Sequence, residues 1–129
     1  LDAYAGHGVA MAWGILRGKD ETSTIVVVRI DADPARYRSV EVTGNDPFTR
    51  KGEALAAPAT LDGTAVVRIP RARFSDLPQT QWRFIPNDAT GTQLVVDYRG
   101  IPDTTPEFND AAKLDASLAA RAGRARIVP

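Results

Sequence analysis

The sequence predicts an all-β, mainly antiparallel domain. It is a small six- to seven-stranded β-sandwich, immunoglobulin-like in general form, with one C-terminal α-helix; a partly open β-barrel is the alternative. Three observations predict this. Six stretches carry strand patterning with no helical pattern between them. Gly, Asp, Asn and Pro cluster where those stretches end. Helical periodicity emerges only near the C-terminus.

The central stretch is Thr24 to Asp31, an unbroken run of Ile and Val closed by Arg29-Ile30-Asp31. Branched side chains of this kind suit a pleated backbone. Thr24, Val26, Val28 and Ile30 share one face and Ile25, Val27, Arg29 and Asp31 the other, so both faces are apolar mid-strand and the strand is expected inside a covered sheet. Before it, Val9 to Arg17 alternates large and small residues. Val9, Met11, Trp13 and Ile15 stand opposite Ala10, Ala12 and Gly14. The polar Gly18 to Glu21 then predicts a hairpin between the two strands.

After the Asp33-Pro34 break, Tyr37 to Thr43 is a third strand with Val40 and Val42 facing in. Periodicity lapses from Gly44 to Gly63, a long loop with Phe48 and Leu55 as anchors. Thr64 to Ile69 is a fourth strand and Ser75 to Pro78 a capped helical turn. Trp82 and Phe84 share a face of the fifth strand, and Leu94, Val96 and Tyr98 a face of the sixth. Arg99 to Pro106, stiffened by two prolines, orients the C-terminal helix. That helix is predicted over 105–122, capped by Thr105 or Thr104, packed through Phe108, Ala111, Ala112, Leu114, Leu118 and Ala119, and stopped by Gly123. Residues 1–8 read as a flexible leader and 124–129 as a tail, the whole chain of 129 residues being a single domain.

The composition narrows the chemistry. Sixteen basic residues balance sixteen acidic ones, so no net field draws nucleic acid, and no apolar run reaches the roughly 20 residues of a membrane helix. The absence of cysteine removes thiolate metal sites and Cys nucleophiles. His7, between two glycines, is the only histidine; it reads as a flexible terminal residue. Asp31 with Asp33, Asn45 with Asp46, Asn87 with Asp88, and Asp103 fit turn chemistry and match no calcium loop. Ser23, Ser39, Ser75 and Ser117 lie in no nucleophile elbow, and no phosphate loop or dinucleotide fingerprint occurs. Trp13, Trp82, Phe84 and Tyr98 read as core. No cofactor or metal is implied.

Thirteen of the sixteen basic residues are Arg. Arg29, Arg38, Arg68, Arg83 and Arg99 take strand positions turned away from the core; on one face they would form an anion or small-ligand site. The chain begins at Leu1, and Ala3-Tyr4-Ala5 has the small-x-small pattern that precedes signal cleavage, which suggests an exported bacterial protein, periplasmic or secreted. The leading functional expectation is a non-enzymatic binding or assembly module that contacts a protein partner through loops or a sheet edge.

Overall fold

The structure is a computed structural model that describes residues 3–46, 52–102 and 104–127. Among the described residues ten strands and two α-helices run in the order β1 (Ala3–Gly6), β2 (Val9–Leu16), β3 (Ile25–Ala32), β4 (Tyr37–Asn45), β5 (Gly52–Ala54), β6 (Ala59–Thr60), β7 (Thr64–Pro70), α1 (Arg73–Asp76), β8 (Gln79–Pro86), β9 (Leu94–Arg99), β10 (Glu107–Phe108) and α2 (Ala111–Ile127), with a single 3-10 turn at Glu21–Ser23 between β2 and β3. One sheet runs β1-β2-β3-β7, with β10 beside β2. The other runs β5-β4-β8-β9, with β6 beside β4. Apart from the parallel β10–β2 pair, the ladders are antiparallel. The sheets stack as a sandwich and no barrel closes.

Of the six long strands, the first, second and fourth share one sheet and the third, fifth and sixth the other. That is the immunoglobulin-like strand order, in which the chain changes sheet three times along these six strands. Alternation dictates the core. Met11, Trp13, Val26, Val28, Ile30, Val67 and Ile69 meet Tyr37, Val40, Val42, Trp82, Phe84 and Val96 between the sheets. Trp13 packs edge-on against Trp82, their ring centroids 6.2 Å apart. Each such large side chain contributes about 1.5–3 kcal/mol by leaving water.

The outer face of the first sheet forms a second core. Ala12 and Val27 lie beneath Leu114, Leu118 and Ala122 of α2. The small residues opposite Trp13 on β2 therefore have a physical purpose: they let a helix lie close to the sheet. Gly14 has no room for a β-carbon, which would overlap Leu114 Cδ1.

Several expectations at the ends are corrected. The leader is not free, because Ala3 to Gly6 pairs with Val9 to Ala12. The connecting His7 and Gly8 both have positive φ, as the two-residue hairpin turn matched to strand twist requires. The helix begins at Ala111 rather than Thr105, since Glu107 and Phe108 instead add to the free half of the β2 edge, where Ile15 N donates to Pro106 O at 3.0 Å and Arg17 N to Phe108 O at 2.8 Å. Asp110 is the cap, its Oδ1 accepting from Ala112 N and Lys113 N at 2.8 and 3.3 Å. Gly123 does not stop the helix, which continues to Ile127; of the predicted tail, only residues 128–129 lie outside the described residues.

The buried stripe of α2 is narrower than predicted: Leu114, Leu118 and Ala122 are inside, whereas Ala111, Ala112 and Ala119 are exposed. The helical turn before β8 spans Arg73–Asp76 and has no side-chain cap. Within the predicted long loop, β4 extends to Asn45, β5 and β6 add to its edge, and Leu55 is buried in the core. Phe48 and Asp103 lie outside the described residues.

Candidate functional site

Among the described residues no helix packs on the outer face of the second sheet. Its rows are set by strand register: Glu41, Arg83 and Val95; Thr43, Gln81 and Asp97; Asn45, Gln79 and Arg99. Among the described residues β9 borders this sheet and pairs with β8 alone. Alternate residues of such a strand point their N–H and C=O groups away from the sheet, where another chain can meet them. Leu94 to Arg99 holds no Pro, Gly, bulge or lysine, and the charges it carries are the exposed Asp97 and Arg99. At the far border of this sheet lie the short β5 and β6, and β7, which borders the first sheet, ends in Pro70, which has no N–H to offer.

The side chains along β9 divide into two rows. Val96 is buried, Leu94 and Tyr98 are half-buried and face the other sheet, and Val95, Asp97 and Arg99 point outward and are exposed. Val95 keeps 41% of its surface in water. Along the edge lies a shallow, open depression of about 410 Å³, lined by Tyr4 from β1 and by Val95, Val96, Asp97 and Tyr98. Tyr98 is held from behind by Trp13, their centroids 4.7 Å apart. Burial pushes the Tyr98 phenol above its ordinary pKa, with a smaller contribution from Tyr4. The Tyr4 phenol is raised by burial first and by Tyr37 second. Both rings thus present a largely apolar wall that keeps its protons.

The outward row is polar and sparsely paired. Gln81 Nε2 donates to Asp97 Oδ1 at 3.2 Å, and Arg83 Nη2 donates to Gln81 Oε1 at 3.0 Å. The Arg99 side chain has no ion pair or hydrogen bond among the described residues, and its neighbour on β8 is the neutral Gln79.

The five arginines singled out in the sequence are not brought together. Arg29 and Arg68 lie on the outer face of the first sheet, Arg83 and Arg99 on that of the second, and Arg38 at the irregular register between Tyr37 and Ser39 of β4. Arg29 serves the structure locally. Its Nε donates to Asp31 Oδ1 at 3.2 Å, and the buried Asp31 also accepts from Thr64 Oγ1 at 2.8 Å. A shared five-arginine anion site loses its basis, because strand alternation sets a residue's face within a sheet but does not say which sheet its strand joins.

The remaining candidates have structural roles. His7 has φ 54° at the β1–β2 turn, and its carbonyl accepts from Tyr37 Oη at 2.8 Å. Asp33 Oδ1 accepts from Ala35 N and Asp88 Oδ1 from Thr90 N and Oγ1, which is turn chemistry. Ser23 completes a capping box with Asp20, and Ser117 accepts from Arg121 Nε. Among the described residues no three or more His, Asp or Glu side chains gather to hold a metal. No helix among them is long and apolar enough to cross a membrane. Trp13 and Trp82 are buried, so neither offers a stacking platform at the surface.

β9 was visible in the sequence as a strand, but its place at the border of a sheet was not. Fold and site together define an immunoglobulin-like β-sandwich with one helix-covered sheet and one open sheet bordered by a strand with a single neighbour among the described residues. Comparison with protein-family models, curated proteins and solved structures found no match.

Proposed function

We propose that the protein is a non-enzymatic binding or assembly module that holds a protein partner by adding the partner's extended segment to the open edge of β9. The observation that carries this reading is the edge itself, a six-residue strand with one neighbour among the described residues and a shallow depression beside it. In this mode backbone hydrogen bonds provide affinity, and the depression selects alternate side chains.

A random decapeptide library displayed on phage, panned against the immobilised full chain, tests the proposal. Enriched peptides should alternate apolar and polar residues and should slow amide exchange in β9. Failure to enrich any peptide, or protection confined to places away from a sheet edge, overturns it. An exported setting, periplasmic or secreted, belongs to the same proposal, and recovery of the protein in the cytoplasmic fraction would contradict that part.

A further inference from the structure

The β9 edge also specifies what it accepts. Resting on the assembly reading, we infer that the occupant is an extended segment of another protein, antiparallel to β9, with an acidic residue opposite Arg99 and a basic residue opposite Asp97. Apolar residues of this segment lie opposite Tyr98, Val96 and Leu94, and a β-branched residue lies opposite Val95. The orientation matches that of the second sheet, whose ladders are all antiparallel.

The charge order comes from the two edge charges that have no opposite charge across the ladder, Asp97 being met there by the neutral Gln81 amide. Across the β8–β9 ladder, Arg99 faces Gln79 and Asp97 faces Gln81, so neither has an opposite charge directly across from it. An added strand is the one position left directly beside both, and cross-strand pairs of opposite charge are favourable there. The alternation comes from the two faces of the edge. Inward residues of the new strand enter the depression beside Tyr4 and Tyr98, whereas outward ones continue the row of Val95, Asp97 and Arg99.

A second copy of this chain fits less well. Two-fold antiparallel pairing of β9 with itself, centred on Asp97, sets two aspartates face to face; centred on Val96, it sets Asp97 against Val95. The register centred on Tyr98 sets Asp97 against Arg99 twice, but it overlaps only three residues of β9 and leaves Leu94, Val95 and Val96 without a β9 residue across from them.

Isothermal titration calorimetry on the full chain decides the matter, using two synthetic peptides. The first carries the order acid, apolar, base, apolar, β-branched, apolar, and the second is identical except that acid and base are exchanged. The first should bind about fivefold more tightly, and the Asp97→Arg/Arg99→Asp variant should invert that preference. Both replaced side chains are exposed, and unchanged circular dichroism confirms that the variant folds. Equal affinities, or a preference the variant does not invert, overturn the inference.

The outcomes separate the inference from the reading beneath it. If library-selected peptides protect β9 while the designed peptide does not bind, the proposed chemistry is wrong and the assembly reading stands. If no peptide protects any sheet edge, both fall. Concentration-dependent dimerisation that protects β9 would assign the edge to a second copy and overturn the inference.

Discussion

Gly14 on β2 and Leu114 on α2 touch across the helix–sheet interface so closely that no side chain fits at position 14. The helix is seated on the sheet at this point, and the contact predicts a large effect from one methyl group. Gly14→Ala should destabilise the protein by about 1–3 kcal/mol, as overpacking of a closed interface does. Adding Leu114→Val should recover part of that loss, because the two changes share one space and are not additive. Urea unfolding of the two single variants and the double variant measures the coupling.

The same substitution in the helix has the opposite sign. Gly123 lies inside α2, is exposed, and a β-carbon there meets nothing within 4 Å. Gly123→Ala should therefore stabilise by about 0.5–1 kcal/mol, through the lower backbone entropy of alanine in the unfolded chain. A raised urea midpoint with unchanged slope is the expected result.

The start of α2 separates two capping residues. Asp110 holds the first turn through its Oδ1, so Asp110→Ala should cost about 1 kcal/mol of stability. Thr105 precedes β10 and caps no turn of the helix; Thr105→Ala should leave the far-ultraviolet helical signal unchanged.

Stability should fall at both ends of the pH scale, for opposite reasons. Hydrogen bonds from Thr22 Oγ1, Ser23 N and Ser23 Oγ hold Asp20 below its ordinary pKa, and Thr90 N and Oγ1 do the same for Asp88. Their contribution is complete above the unfolded carboxylate pKa of about 3.9 and is lost as pH falls through the lower folded values. Tyr4 and Tyr98 are raised, so the folded state keeps protons that the unfolded chain releases above about pH 10, and stability declines from there upward. Thermal midpoints across pH should show both limbs. Asp20→Asn should flatten the acid limb and Tyr98→Phe the alkaline one.

The strands that build the core were legible because each carries several side chains of one period. Val9 to Ile15 predicted a bulky face and a small one, and those faces became the sandwich core and the helix seat. The additions to the edges were not legible. β1 contains only Ala, Tyr and Gly, without a branched residue, and is held by pairing with β2. β5, β6 and β10 are three or two residues long, too short for a period to register. Thr105-Pro106-Glu107 matches a helix start in composition, but the free half of the β2 edge draws Glu107 and Phe108 into a strand. For the candidate site, the inward Leu94, Val96 and Tyr98 were predicted, whereas the bordering position of β9 depends on strand order, a long-range property that local patterning does not encode.

The most direct test of the account is residue-resolved amide exchange on the free protein. β3 lies between two neighbours, so its amides should be protected throughout, while protection in Leu94 to Arg99 should alternate, slow where the N–H faces β8 and fast where it faces outward. Uniform protection along β9, equal to that of β3, would mean that the edge is already covered and would contradict the proposal that it receives a partner.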